Sequence, residues 1–374
     1  MAPERPAPLL LTPGPLTTAV ATRRAMLDDW GSRDQAFIAM TARVRARLTH
    51  LVNGGESHVC VPLQGSGTFA IEATLGTLVP VGGKALVLVN GAYGRRMAGI
   101  LERLGRRHET LETAENATPD PDALAARLAG DPSITHVAAV HCETTSGILN
   151  PIAPLAAVVA GHNRRLIVDA MSAFGGIPLD VRHVPCDAVV ASANKCLEGV
   201  PGLAFAIIRK DALAASGGNA HSVSLDLHDQ WRAMEGNGQW RFTPPTQVLA
   251  ALDRALALLG EEGGVPARHA RYSANCRVLV DGLRRLGFET LLPDALQAPI
   301  IVTVRMPADP AFRFDAFYDG LSERGFIIYP GKLTEVPSFR IGCIGAVHPR
   351  DMEAAVGAVG AVMADLGVAS GRPR

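Results

Sequence analysis

Two short apolar runs, each ending on one charged side chain, constrain this chain more than anything else in it. Leu166-Ile167-Val168 stops at Asp169, and Ala188-Val189-Val190-Ala191 passes through Ser192-Ala193-Asn194 to Lys195. Each run is short, carries β-branched residues and has turn signals around it, so each is predicted to be a buried strand. The acid and the amine then stand at the C-terminal ends of strands. In an open α/β sheet that edge is where ligands bind.

A lysine and an aspartate so placed suit one cofactor. Pyridoxal phosphate needs a lysine for its Schiff base and a carboxylate facing its ring nitrogen. The carboxylate keeps that nitrogen protonated, so that the ring can draw electrons from a substrate carbanion. On this spacing alone, an Asp–Lys ion pair at the sheet edge is the competing reading.

The length of 374 residues suffices for a large core and two domains. Lys+Arg and Asp+Glu both number 36, so there is no global basic footprint for nucleic acid. The cysteines, at 60, 142, 186, 196, 276 and 343, show no CxxC or paired metal spacing. No metal site is expected, and reduced thiols in a cytoplasmic protein are. The start, MAPERPAPLLLTPGP, lacks the basic region and long apolar core of a signal peptide. No apolar run reaches a membrane span, so no membrane partner is expected.

LLLTPGPL at 9–16 is predicted to be extended, because Pro13 and Pro15 forbid a helix there. Thr18 to Leu27 has helical character, DWGSRD at 29–34 is a polar turn, and Phe37 to Leu51 reads as an amphipathic helix with solvated arginines. VCVPLQGSGT at 59–68 ends in Gly65-Ser66-Gly67-Thr68, followed by a helix over Phe69 to Leu78. A glycine-rich turn at a helix N-terminus offers free N–H groups and the positive dipole end to an anion. The Ser66 and Thr68 hydroxyls add donors, although a lone GSGT also fits any tight turn. A strand over Leu86 to Val89 leads to the turn Asn90-Gly91 and to Tyr93, whose ring either lies on a flat cofactor or packs. A helix at 97–108, a charged stretch at 109–120 and a helix at 121–130 follow. The strand His136 to Val140 ends in HCETTSG, where Thr145 and Ser146 are candidate donors to a ligand oxygen, while His141 and Cys142 read as core. A helix at 151–162 leads to the Asp169 strand. This alternation, with a further strand within 199–210, implies a mainly parallel sheet.

Residues 214–247 read as turn-rich, and RFTPPT at 241–246 as the opening of a helix. Helices are predicted at 247–261 and 266–286. EEGGV, near 260–264, is the expected joint between a large domain, 1–260, and a smaller C-terminal α/β domain, 261–374. There PIIVTVRM at 299–306 and PSFRIGCIG at 337–345 read as strands, Phe314 to Arg324 and 350–365 as helices, and VASGRPR as a frayed tail. Arg340 lies among apolar neighbours in its strand. A buried arginine needs an anion, either a ligand or a structural carboxylate.

Taken in order and over nearly the whole chain, LLLTPGPL, DWGSRD, LQGSGTFAIEA, NGAYGRR, HCETTSGILNP, VDAMSAFGG, ASANKCLEGVPGLAF, RFTPPT and FRIGCIG resemble the class V, fold-type-I aminotransferases that use pyridoxal phosphate. The resemblance is nearest to those that act on 2-aminoethylphosphonate and pyruvate. Serine– and alanine–glyoxylate or –pyruvate aminotransferases share most of the architecture and are the alternative. The resemblance implies an α/β large domain with a mainly parallel seven-stranded sheet flanked by helices, plus a smaller C-terminal α/β domain. Lys195 and Asp169 resemble the catalytic pair, the Schiff-base lysine and the partner of the pyridine nitrogen. Ser66, Gly67 and Thr68 resemble the phosphate cup, and Ser192 stands with the cofactor contacts. Tyr93 is similar to the aromatic over the ring, and Met171 to the side chain beneath it. Thr145 resembles a hydroxyl near the substrate and the ring oxygen, and Thr243 a residue lent to a neighbour's phosphate cup. Arg340 matches the arginine that holds the substrate carboxylate. A homodimer with shared active sites is implied, with a small-molecule amino donor and a 2-oxo acid as partners.

The expected reaction is amino transfer from 2-aminoethylphosphonate to pyruvate, giving phosphonoacetaldehyde and alanine. One departure concerns DWGSRDQAF, which replaces a Trp-Asp-Asp run. Arg33 in that segment is expected to face solvent, with a phosphonate contact as the alternative. A desulfurase would need a mobile cysteine, whereas Cys343 sits in a strand pattern. A nucleotide-binding protein would need GxxxxGK[ST], or GxGxxG with a distant acid, and neither is present.

Overall fold

Seven strands form the central sheet, in the spatial order His58–Gln64, Leu203–Arg209, Ala188–Ser192, Arg165–Asp169, Ile134–Val140, Lys84–Val89 and Arg107–Glu112. This is the architecture of a computed structural model, which describes residues 7–331 and 334–373. The sequence reading of the first six residues, of Lys332 and Leu333 and of Arg374 lies outside the described residues. Leu203–Arg209 runs antiparallel to both of its neighbours, and all other pairs are parallel. Six strands therefore share one C-terminal edge, and both charged runs of the sequence end there.

Period-2 alternation places the acid on one face. Leu166 and Val168 pack into one apolar cluster, with Val189 and Ala191 of the next strand, while Ile167 packs into the opposite one with Ala188 and Val190. By the same alternation Asp169 and Ser192 share the face of Ile167 and Val190. Two helices cover that face, Gly67–Leu78 and Ala92–Arg103, which bring Ile71, Leu75 and Met97 into its cluster. Each helix starts directly after a strand, so both N-termini arrive at the same sheet edge as Asp169.

A three-stranded antiparallel sheet, Ile301–Arg305, Ser338–Gly342 and Tyr329–Pro330, lies in the C-terminal part with the helices Gly264–Arg285, Phe314–Glu323 and Pro349–Asp365. The N-terminal segment joins it. Leu9–Leu10 pair in parallel with Phe326–Ile327, and Leu11 is buried in the C-terminal apolar cluster. The chain then turns through Pro13 and Gly14 onto Lys195. Gly14 has φ +108°, and a Cβ there would stand 2.6 Å from the lysine Cδ. Only glycine suits that backbone and that approach.

Four expectations are corrected. The charged stretch after residue 108 begins with an edge strand, Arg107–Glu112, whose acids pair outward, Glu109 with Lys84 at 3.0 Å and with Arg127. The helix expected at 97–108 starts earlier, at Ala92. The turn-rich stretch holds the helix Leu227–Asn237, capped by Asp226 and closed by Gly238 at φ +74°. The tail is docked rather than frayed: the Gly371 amide donates to Leu286 O at 3.0 Å and the Ala308 amide to Arg372 O at 2.9 Å. Among the described residues no helix is long and apolar enough to cross a membrane.

Candidate active site

Lys195 leaves the strand Ala188–Ser192 through the turn Ala193-Asn194. Its Nζ donates to Pro13 O at 2.7 Å and to Gly14 O at 3.2 Å. Desolvation lowers its pKa to about 8, with the guanidinium groups of Arg340 and Arg96 acting in the same direction and Cys196 and Asp169 opposing. The turn behind it is braced by charge. Glu198, at φ +58°, accepts from Tyr272 Oη at 2.6 Å and from Arg271 Nη2 at 2.7 Å. Arg268 Nη1 donates to Cys196 O at 2.7 Å, and Arg271 Nη1 to Gly345 O and Val347 O at 2.6 and 2.9 Å. A non-glycine residue held at positive φ persists only where its surroundings over-determine it. Here two arginines and a tyrosine do so, and they tie the lysine turn to the segment that follows Arg340.

Asp169 is buried, and its Oδ1 accepts from the Met171 amide at 2.9 Å. Burial raises its pKa to about 6; the Met171 bond, Arg96 and Lys195 work against that, and Glu143 adds to it. No cationic side chain lies within ion-pair distance of it among the described residues. A carboxylate in that position lacks a charged donor, and a protonated ring nitrogen is one.

The helix start beside it forms a cup. Ser66 is the N-cap residue, with extended backbone and no side-chain cap, and its carbonyl accepts from Phe69 and Ala70. The amides of Gly67 and Thr68 have no partner inside the helix, as for any helix start. A Cβ on Gly67 would stand 2.3 Å from Met171 Sδ, so glycine keeps the cup open.

Ser66, Gly67, Thr68, Tyr93, Asp169, Met171, Ser192 and Lys195 line one cavity of about 190 Å³. Eight residues singled out in the sequence thus converge. Thr145, Thr243, Arg340 and Arg33 are not among its lining. Thr145 is fully buried; its hydroxyl donates to Glu143 Oε1 at 2.6 Å and accepts from the Ala92 amide at 2.9 Å. Thr243 is exposed and lies with Arg33 and Phe242 on a separate surface depression. Arg33 is exposed, as expected. Arg340 is buried beside the site, where Nη1 donates to Thr144 O at 2.9 Å, and Nε and Nη2 donate to Pro330 O at 3.3 and 3.2 Å. No carboxylate comes within ion-pair distance of it among the described residues.

Two residues escaped the sequence reading. Arg96 and Asn194 also line the cavity. Arg96 lies three residues after Tyr93, so the helical period puts both on one face; that spacing was the signal. Glu143 also matters. Fully buried, it accepts from the amides of Tyr93 and Gly94 at 3.2 and 3.4 Å, capping the helix that carries Tyr93 and Arg96.

Comparison with known proteins agrees with this geometry. The aminotransferase class-V family matches residues 26–332. A 2-aminoethylphosphonate–pyruvate transaminase of Pseudomonas fluorescens is 56% identical over 361 residues, covering 96% of this chain and 98% of that protein. One of Pseudomonas aeruginosa is 57% identical over 362 residues, covering 97% and 98%. Among solved structures, a pyridoxamine–pyruvate aminotransferase from Mesorhizobium loti superposes with a TM-score of 0.89 at 27% identity, covering 99% of this chain and 96% of that one. The chain belongs to the class V aminotransferases, and it has their fold-type-I architecture. The cofactor of this family is pyridoxal phosphate, and the residues present fit it. Among the described residues the buried Ser192 Oγ has no protein partner and Asp169 no charged donor, and the cup is one that a Cβ on Gly67 would fill.

Proposed function

We propose that this aminotransferase moves the amino group of 2-aminoethylphosphonate to pyruvate, giving phosphonoacetaldehyde and L-alanine, as a step of phosphonate breakdown. The observation that carries this reading is the near-full-length match to the two Pseudomonas transaminases. The site supports it: among the described residues Arg340 is a buried cation answered only by carbonyls, near a lysine and an aspartate at one sheet edge. Amino transfer from serine or alanine to glyoxylate or pyruvate is the alternative within the class.

Bound pyridoxal phosphate supplies an aldehyde that carries the amino group and a ring that accepts the electron pair left when the substrate proton departs. The residues do the rest. Asp169 would accept the N–H of the ring nitrogen and keep it charged. Such charge-assisted bonds contribute about 1.5–3 kcal/mol. Lys195 holds the cofactor covalently between turnovers. Its Nζ would be the base that takes the proton from the substrate carbon and the acid that gives it back; its lowered pKa suits that task. Ser66, Gly67 and Thr68 would anchor the phosphate end, Ser192 would contact the cofactor, and Tyr93 and Met171 would pack against the ring. Thr145 acts near the ring oxygen through its bonds to Glu143 and the Ala92 amide, and Arg340 receives the substrate anion.

The reading also divides the chain into a cofactor-binding domain, 1–260, and a smaller C-terminal domain, 261–374, supported by the glycines at 263 and 264 between two long helices. It places the protein in the cytoplasm, supported by six unpaired, buried cysteines.

The test is an amino-donor panel with pyruvate as acceptor. Alanine should form from 2-aminoethylphosphonate at a kcat/KM well above that for serine. Transfer from alanine or serine to glyoxylate, with none from 2-aminoethylphosphonate to pyruvate, would replace this reading with the alternative.

The same reading makes the working unit a homodimer in which Thr243 completes the neighbour's cup. Its support is the exposure of Thr243 and Phe242, and of Phe69 beside the cup, at 48% for Phe242 and 51% for Phe69. Mixing inactive Lys195→Ala subunits with an inactive Thr243 variant should restore activity in hybrids, because one of the two shared sites is then intact. A fully active monomer in light scattering would end the idea.

A further inference from the structure

We propose that Arg96 is the side-chain cation of the phosphate cup and binds the cofactor phosphate directly. It shares the cavity with Ser66, Gly67, Thr68 and Lys195. Its Nη1 donates to Thr68 Oγ1 at 3.3 Å, which places the fork at the rim of the cup. Its guanidinium carbon stands 4.8 Å from the centroid of the Tyr93 ring. A cation over an aromatic face is held there without being neutralised. The neighbouring Arg95 has a carboxylate, Glu112, at 3.7 Å, whereas among the described residues none comes within ion-pair distance of Arg96.

The charge balance of the cup calls for such a group. A phosphate monoester carries about −1.5 to −2 near neutral pH. The start of the helix Gly67–Leu78 offers roughly +0.5, and Ser66, Gly67 and Thr68 are neutral. Lys195 is committed to the other end of the cofactor. A guanidinium presents parallel N–H groups that match two phosphate oxygens, which an ammonium does not. Arg96 is exposed, so its fork can pass from Thr68 to the phosphate oxygens while Tyr93 keeps it at the rim. The helix it stands on is fixed from behind by Glu143, whose Oε2 accepts from two amides of the first turn.

The inference rests on the family's cofactor and not on the identity of the amino donor, and its test uses no donor. Cofactor-free protein is titrated with pyridoxal phosphate and, separately, with pyridoxal, which has no phosphate; absorbance of the bound form gives each Kd. Arg96→Ala and Arg96→Gln should weaken pyridoxal phosphate about 10- to 100-fold and leave pyridoxal unchanged. Arg96→Lys should recover part of the loss. Inorganic phosphate should compete with pyridoxal phosphate for the wild type and much less for Arg96→Ala. An unchanged Kd for pyridoxal phosphate would overturn the proposal. So would equal weakening of both compounds, which would mean that Arg96 acts through the Tyr93 ring and not through the phosphate.

Discussion

Lys195→Ala is expected to abolish covalent attachment of the cofactor and, with it, turnover. The proton transfer alone should cost about 10²–10⁴ in kcat, the range for a positioned acid–base group. The variant should still bind pyridoxal phosphate, because Asp169 and the cup at Ser66–Thr68 do not depend on the lysine. The bound cofactor should then be lost on dialysis where the wild type keeps it. Attachment is checked directly by borohydride reduction of the wild type and peptide mapping. The chain has four lysines, so the result is sharp. Lys84 is held in ion pairs with Asp131 at 2.6 Å and Glu109 at 3.0 Å, and Lys210 donates to Glu56 O at 2.9 Å at the surface. Label on either of these, or on Lys332, would remove Lys195 from its assigned role. A small amine added to Lys195→Ala should restore part of the rate, since it can replace a missing proton carrier. No rescue, together with normal cofactor binding, would mean that the lysine's loss acts through the shape of the site.

The placement of Asp169 and Lys195 at one sheet edge was legible because buried strands announce themselves. Leu166–Val168 and Ala188–Ala191 are short apolar runs; Asp169 follows the first directly, and Lys195 follows the second after the turn Ser192-Ala193-Asn194. The cup was legible for a similar reason: Gly65 at φ +123° and the open Gly67 need glycine, and GSGT records both. The direction of Leu203–Arg209 was not legible. A strand buried on both faces carries the same side chains whichever way it runs, and only its pairing fixes its sense. The edge strand Arg107–Glu112 was hidden because its charges pair outward with Lys84 and Arg127. The brace around Glu198 was hidden more deeply. The helix at 266–286 was read without its arginines, yet Arg268 is 1% exposed and meets Glu262 nearby in the chain and Glu198 across the fold. Glu262 is local, but the partners that bury the cation, Cys196 O and Glu198, lie about seventy residues away in sequence, where no local pattern reaches. Arg96 was missed for the opposite reason: it is exposed, and only the i, i+3 relation to Tyr93 marks it.

Arg340→Ala is expected to weaken both half-reactions, and this prediction bears most directly on the substrate. The guanidinium is buried, burial lowers its pKa, and among the described residues its donors reach Thr144 O and Pro330 O. Carbonyls accept its hydrogen bonds but leave its charge without a counter-ion. The planar fork can meet a carboxylate or a phosphonate in two-point contact. Donor and acceptor place their anions differently: in pyruvate the carboxylate is attached to the reacting carbon, whereas in 2-aminoethylphosphonate the phosphonate lies one methylene further away. One arginine serves both if the phosphonate finds a second set of donors. Truncating one partner of a buried charged contact costs about 2–5 kcal/mol, on the order of one and a half to three and a half decades in kcat/KM. Single-turnover kinetics of each half-reaction separate the two anions. Arg340→Lys should keep the charge and lose the fork, so it should recover only part of the rate. If Arg340→Ala leaves both half-reactions unchanged, the arginine only braces Thr144 and Pro330. If it slows pyruvate alone, the phosphonate is held elsewhere, and the shared anchor is wrong.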